Sequence, residues 1–283
     1  MKIAIYGSRR QHSFGAEINR LLRQLVLAGH EVFLAPKLYT HLSELGLSLS
    51  GVNCSCDTLP DGTSMAISIG GDGTFLRTAA WVGDREIPIL GVNTGHLGYL
   101  AGVSLDELSE NLDQYVCENP STERRTLIEV QCEGVKGWRY ALNEVTIAKD
   151  ESASMVSAMV YIDSRELAEY RADGLIVCTP TGSTAYNLSV GGPIVEPSAP
   201  VFVISPIAAH SLSLRPMVVN ESSALSIVVG GRAHSFRLSV DGRSTSLPMG
   251  SRVELRRASF VTRIVRCPAT DFPEPLRRKL MFN

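Results

Sequence analysis

Met65-Ala66-Ile67-Ser68-Ile69-Gly70-Gly71-Asp72-Gly73-Thr74 is the stretch on which the fold turns. Its first half is short and mostly apolar, as a strand buried on both faces must be. Its second half is a glycine-rich turn, and residues 75–82 beyond it read as a helix. A strand, a tight turn and a helix in that order belong to a parallel sheet with flanking helices. The neighbouring sequence repeats the unit on both sides. Upstream, residues 2–6 read as a strand, and Ile18, Leu21, Leu22, Leu25 and Val26 recur at the spacing of one buried helical face. Gly29 stops that helix, and residues 31–35 form another strand that Pro36 ends. Downstream, residues 87–92 form a strand. Ser104 and Glu107 make a capping box opening a helix through about residue 116.

The pattern changes near Asn119-Pro120. Short β-rich runs follow at 127–132, 138–148, 155–162, 175–178, 201–204, 224–229, 236–240, 253–257 and 260–265. Turn signals at Glu133-Gly134, Gly230-Gly231, Asp241-Gly242 and Met249-Gly250 separate several of them. The expected architecture is therefore an α/β N-terminal domain over residues 1–120 and an all-β C-terminal sandwich domain over residues 121–265. The basic tail at 276–281 fits a last helix returning to the first domain, or a loose end.

The chain has 283 residues, 44% hydrophobic and 20% charged, with Lys+Arg 27 against Asp+Glu 29 and a net charge of −2. Such a composition excludes a disordered chain, a collagen-like fibre and a coiled coil. Near-neutral charge gives no global reason to coat nucleic acid or an anionic membrane, so neither is an expected partner. No apolar run reaches the ~18 residues of a membrane helix, and the N-terminus lacks the pattern of a signal peptide. Cys54, Cys56, Cys117, Cys132, Cys178 and Cys267 are too few for a disulfide framework in a chain this long. Cys54 and Cys56 lack a second Cys or His pair at zinc spacing. A reducing cytoplasmic setting follows as the expectation.

The chemistry concentrates in four segments. The first is Gly70-Gly71-Asp72-Gly73-Thr74. A helix N-terminus offers unpaired backbone N–H groups and a positive dipole end, and glycines let a phosphate come close. Neither the P-loop nor the G-x-G-x-x-G pattern is present. Asp72 is the informative residue, because a carboxylate repels phosphate unless it meets a bridging metal or takes a proton from an attacking hydroxyl. Helix capping is its bland alternative.

The second segment, Asn93-Thr94-Gly95-His96-Leu97-Gly98-Tyr99-Leu100, follows the next strand and so shares the carboxyl rim of the sheet. Asn93 and His96 are placed to touch a ligand there, or the glycines only shape the loop. The third, Asn143-Glu144, puts a polar pair in an apolar run, which fits hydrogen bonding to ribose or a base. The fourth runs from Asp173-Gly174 through residues 175–178 to Thr179-Pro180-Thr181-Gly182-Ser183-Thr184-Ala185-Tyr186-Asn187-Leu188-Ser189 and Gly191-Gly192-Pro193. Its hydroxyls and amides suit phosphate and ribose, and Tyr186 suits packing a ring.

Taken together and in this order, these segments resemble the NAD kinase family. The resemblance rests on GGDGT, NTGHLGYL, the NE pair, and DG followed by TPTGSTAYNLSVGGP, with support from Ser205-Pro206-Ile207 and Arg215-Pro216. It implies an α/β domain completed by residues 266–283 and a β-sandwich. It also implies phosphoryl transfer from ATP, with a divalent metal such as Mg²⁺ that accompanies ATP and is not held permanently by the protein. The acceptor would be the 2′-hydroxyl of the adenosine ribose of NAD. Asp72 would take the proton, with Gly73 beside it, and Gly70, Gly71, Gly73 and Thr74 would form the ATP phosphate loop. Asn143, Glu144, Asp173, Thr184, Ala185, Tyr186, Asn187, Leu188 and Ser189 would bind NAD, with Arg77 and Arg171 as further contacts. Many members carry Gln where Arg243 stands and some a larger basic residue where Ser154 stands, so neither receives a role. The family implies a site shared between subunits of a homodimer or homotetramer.

Two alternatives share parts of these features. A lipid or sugar hydroxyl kinase would carry the GGDGT loop without TPTGSTAY. A non-catalytic dinucleotide-binding regulator would keep the loops without needing Asp72.

Overall fold

The first sheet centres on two apolar pentapeptides, residues 65–69 and 89–93, that are buried throughout. β1 (Lys2–Gly7), β2 (Glu31–Leu34), β3 (Val52–Cys54), β4 (Met65–Ile69), β5 (Ile89–Asn93) and β6 (Val103–Ser104) pair in parallel, with the main order β5-β4-β1-β2-β3 and β6 joined to β5. The helices between them are α1 (Gly15–Leu27), α2 (Pro36–Glu44), α3 (Asp72–Val82), α4 (Leu105–Glu110) and α5 (Leu112–Tyr115). Ile18, Leu21, Leu22 and Leu25 of α1 and Leu38 and Leu42 of α2 join Ile3, Ile5, Ile67 and Val92 in one core. The computed structural model describes every residue except 8–13, 56, 96, 151–153, 212, 268–270 and 281–283. Within it the chain divides into two units, Met1–Arg124 with Thr262–Asn283 and Arg125–Val261.

The second unit is antiparallel. Its elements are β7 (Thr122–Gln131), β8 (Tyr140–Ala141), β9 (Glu144–Lys149), β10 (Val156–Ile162), β11 (Arg165–Ala172), β12 (Gly174–Cys178), α6 (Tyr186–Ser189), β13 (Val201–Ile207), β14 (Met217–Asn220), β15 (Leu225–Gly231), β16 (Ser235–Val240), β17 (Arg243–Pro248) and β18 (Arg252–Val265). One sheet runs β14-β13-β12-β9-β16-β17, and β11-β10-β15-β18 with β7 and β8 form the other. Val145, Ile147, Leu175, Val177, Phe236 and Leu238 from the first meet Val156, Ala158, Val160, Ile227, Val229 and Val253 from the second. Alternate residues Ile176, Cys178 and Val203 face the other way and are covered by Val190 and Val195. β12 is therefore buried on both faces, and the 179–195 segment is laid over it. The last helix, α7 (Pro273–Leu280), belongs to the first unit.

The α/β and all-β fold classes stand as expected, and the local departures have physical causes. Pro36 does end β2, but it also occupies the first turn of α2, where its fixed φ and missing N–H are favourable. α3 starts at Asp72, three residues earlier than expected. The N-cap half of the capping box holds, with the Glu107 N–H donating to Ser104 Oγ at 3.1 Å, while the Glu107 carboxylate accepts from the Tyr115 hydroxyl at 2.6 Å, and Asn111 splits the helix into α4 and α5. The expected run at 138–148 breaks at Leu142-Asn143, where the backbone turns to a side-chain acceptor described below. Gly230-Gly231 ends β15 and is not a turn, while 253–257 and 260–265 are one strand. β11 and β17 are polar and were invisible to an apolar pattern. The tail at 276–281 is helical through Leu280, and Met281 lies outside the described residues.

Candidate active site

In the first unit the glycine turn closes onto the neighbouring strand. Gly70 has φ 144°, a left-handed conformation that favours glycine, and its N–H donates to Val92 O at 2.8 Å. Gly71 is the N-cap of α3, and Gly71 O accepts from the Thr74 and Phe75 N–H groups at 2.8 and 3.2 Å. Asp72 is thus inside the first turn and does not cap it. Its carboxylate reaches across to the loop after β5. Oδ2 accepts from the Tyr99 N–H at 2.9 Å, and Oδ1 accepts from Leu100 and Ala101 at 2.9 and 3.2 Å. Gly98 makes this approach possible, because a Cβ there would lie 2.1 Å from Asp72 Oδ1. The Asp72 side chain is still 31% exposed, and Lys279 Nζ stands 4.0 Å from Oδ2. Burial and the Asp72 charge push the Tyr99 phenol above its ordinary value.

A Cβ at Gly71 or Gly73 would meet nothing within 4 Å. Among the described residues no atom requires glycine at either position. Thr74 is buried, and its hydroxyl accepts from Arg77 Nη2 at 3.5 Å on the exposed side of α3. Asn93 is committed to its own loop. Its Nδ2 donates to Val103 O at 3.2 Å and its Oδ1 accepts from the Gly95 N–H at 3.3 Å. His96 and Cys56 lie outside the described residues.

The second unit repeats the device. Asp241, at the tip of the β16–β17 hairpin, accepts from the N–H groups of Leu142, Asn143 and Glu144 at 2.8, 2.9 and 3.1 Å. The break between β8 and β9 is this turn of the backbone toward Asp241. Thr179 then clamps the same segment, with its Oγ1 donating to Leu142 O at 2.5 Å and its N–H to Asn143 O at 2.9 Å. Glu144 Oε2 is buried without a partner among the described residues. Burial first, and then the charge of Asp241, raise Glu144 to about 7, against the pull of the Tyr186 N–H. Asp241 is also held above its ordinary value by burial, opposed by its three amide donors. A buried carboxyl of this kind, with one oxygen short of a partner, marks a candidate site.

The predicted NAD residues of this unit fall into two groups. Asn143, Glu144 and the Thr184–Ser189 segment share one end of the β9–β12 ladder, where Tyr186 is 44% exposed. Asn187 differs from its neighbours in being fully buried. Its Nδ2 donates to Ser183 O at 3.2 Å and Pro193 O at 3.0 Å, and its Oδ1 accepts from Ser205 Oγ at 2.6 Å. Arg171 and Asp173 lie at the opposite end. Glu144 is paired with Cys178 and Ala148 with Gly174, so Asp173 stands roughly 15 Å along the ladder from Glu144. Asp173 pairs with Lys149 at 2.8 Å, and Arg171 pairs with Glu169 at 3.0 Å. A pocket of about 450 Å³ there is lined by Ser154, Met155, Glu169, Arg171 and Arg232. Arg243 braces the hairpin through Val240 O and Tyr140 O, both at 3.3 Å. Asp241 and Lys279 escaped the reading of the sequence. The Asp241-Gly242 turn signal was visible, but the acceptor role spans about a hundred residues and had no local mark.

A carboxylate held at the tip of a strand–glycine turn–helix, with a hydroxyl-rich loop laid on a β-sandwich, defines a phosphate-handling, nucleotide-type enzyme. The chain belongs to the ATP-NAD kinase family. The family models for the ATP-NAD kinase N-terminal domain and C-terminal domain match residues 19–119 and 142–267. The chain is 43% identical to an NAD kinase of Porphyromonas gingivalis over 283 residues, covering 100% of this chain and 98% of that one. It is 39% identical to an NAD kinase of Bacteroides fragilis over 290 residues, with the same coverage. The fold is similar to that of yeast NADH kinase complexed with NADH (TM-score 0.89, 23% identity, 100% of this chain and 88% of that one). It is also similar to an NAD kinase from Archaeoglobus fulgidus in complex with ATP (TM-score 0.75, 24% identity, 95% of each).

Proposed function

We propose that the chain transfers the terminal phosphoryl group of ATP to the 2′-hydroxyl of the adenosine ribose of NAD, giving NADP, with Asp72 as the proton acceptor. The hydroxyl oxygen bonds to the γ-phosphorus, the bond to the β-phosphate oxygen breaks, ADP leaves, and the hydroxyl proton passes to Asp72. The observation that carries this reading is the state of the Asp72 carboxylate. Three backbone N–H groups fix its position, and it remains partly exposed beside glycines with empty space above them. Phosphoryl transfer needs such positioning and charge neutralisation more than covalent chemistry.

A divalent metal, Mg²⁺ in our reading, supplies charge neutralisation when it arrives with ATP. Glu144 Oε2 and Asn143 would meet ribose hydroxyls, and Tyr186 would pack a ring of NAD. Gly73, Thr184, Ala185, Leu188, Ser189 and Arg77 would line the approach. Asn187 would act by holding the loop in shape. Arg171 and Asp173 would serve a dinucleotide bound to the Glu144 end of a second copy, in a homodimer or homotetramer. The enzyme is cytoplasmic in this reading, without nucleic-acid or membrane partners; the net charge is −2, and among the described residues no helix is long and apolar enough to cross a membrane.

Purified protein incubated with NAD, ATP and Mg²⁺ should form NADP, and Asp72→Asn should not. No product from the wild type, also with NADH or polyphosphate, would overturn the reading. The shared site has its own test. Glu144→Ala and Asp173→Ala should each be inactive alone and regain activity when mixed and allowed to exchange subunits; a mixture that stays inactive would place each site within one copy.

A further inference from the structure

A carboxylate beside a triphosphate poses an electrostatic problem that three amide dipoles relieve only in part. α7 brings a full positive charge to the same place. Its last turn carries Arg277, Arg278 and Lys279. Arg277 and Arg278 are both paired with Glu274 of their own helix, at 3.7 and 2.7 Å. Lys279 instead faces the active loop, with Nζ 4.0 Å from Asp72 Oδ2 and 4.3 Å from the centroid of the Tyr99 ring. At 4.0 Å the ammonium is beyond hydrogen-bonding distance of the carboxylate. Stacking on an aromatic face holds an ammonium in position without neutralising its formal charge. The Lys279 side chain is 32% exposed and that of Asp72 31%.

We infer that Lys279 is a further substrate-contacting residue, whose ammonium binds the phosphoryl oxygens of the nucleoside triphosphate while Asp72 attends the acceptor hydroxyl. The inference rests on the reading of Asp72 as the reactive carboxylate. A lysine on a flexible stem is a point-charge phosphate ligand, and Tyr99 keeps that charge within reach of the loop. The competing explanation is that Lys279 only staples α7 to the loop through a cation–π contact and a surface ion pair.

The test uses the full chain and its Lys279→Met, Lys279→Gln and Lys279→Arg variants. Binding of a non-hydrolysable ATP analogue is measured by calorimetry, alongside kcat, both KM values and Tm. Loss of one charge-assisted phosphate contact should weaken analogue binding and lower kcat/KM for ATP by about tenfold or more in Met and Gln. Lys279→Arg should recover part of that loss, while NAD affinity and Tm stay near wild type. Wild-type analogue binding and kcat in Met and Gln would overturn the inference. So would a loss that tracks Tm in all three variants, which is the behaviour of a staple. If the wild type binds the analogue through Lys279 but makes no NADP, the assignment of the reaction fails and the phosphate contact stands.

Discussion

Asp72, on the first turn of α3, and Asp241, at the tip of the β16–β17 hairpin, each accept three consecutive backbone N–H groups from a distant loop. The backbone problem is the same in both units, since a loop crossing a strand end must place its amides somewhere. What differs is the charged neighbour of the carboxylate. Asp241 is half-buried with the Glu144 carboxyl near it, and burial holds it above its ordinary value. Asp72 keeps a face toward solvent, with a lysine beside it. The same anchoring device thus stands beside a cation in one unit and beside a second carboxyl in the other.

The sharpest way to break this contrast is to neutralise each aspartate in turn. Asp72→Asn should lower kcat at least ~100-fold with the fold intact, the loss expected of a missing general base. Steady-state kinetics and circular dichroism would decide it, and near-wild-type turnover would remove Asp72 from its role. Asp241→Ala should instead act first on stability. Three amides lose their acceptor at about 1–3 kcal/mol each, so Tm should fall by about 10 °C, with a raised KM for NAD following from the loosened Asn143-Glu144 segment. An unchanged Tm would mean that those amides are satisfied without Asp241.

A second pair of variants separates space needed by the protein from space needed by a ligand. Gly98→Ala drives a Cβ into Asp72 Oδ1 and should lower kcat by about tenfold or more, since small misplacements at a reacting group are costly. Gly73→Ala meets no atom of the described residues, so it should leave Tm near wild type and raise KM for ATP. Equal effects of the two on Tm would erase the distinction. Glu144→Gln tests the neighbour that Asp241 perturbs. Folding raises this carboxyl from its ordinary 4.5 to about 7. The stability that its protonated form contributes is therefore complete below pH 4.5 and lost as pH rises through 7. Gln does not ionise, so the ligand-free variant should gain a few degrees of Tm over wild type at pH 8 and little at pH 5. The smallest effect belongs to Tyr186→Ala, which should raise KM for NAD about fivefold with kcat retained, as for a lost stacking contact. An unchanged KM would leave the exposed ring without a ligand role.

Much of the glycine turn and its surroundings is legible because the causes are local. The Met65–Ile69 strand, the glycine turn after it and the Ser104–Glu107 capping box each lie within a few residues of the feature they produce. The fourth segment stood out by composition, yet composition could not sort its members. Tyr186 is exposed while Asn187, one residue on, is sealed in with its amide used three ways. That difference comes from Ser205 and Pro193, whose nearness is a product of folding. Polar strands such as β11 and β17 were missed because their pairing, not their apolar content, makes them strands. In sequence Lys279 is one cation of a basic tail, and its position over Tyr99 distinguishes it from the two arginines before it.

The close approach of Gly98 to Asp72 has an evolutionary corollary. Because the carboxylate also receives the amides of residues 99–101, a descendant that abandoned catalysis would still gain from an acceptor at position 72. Presence of the aspartate in a relative is then weak testimony of activity, and position 98 is the better witness. Any side chain admitted there evicts the carboxylate, so the two sites should change together, and a lineage that has relaxed one should show the scar at the other.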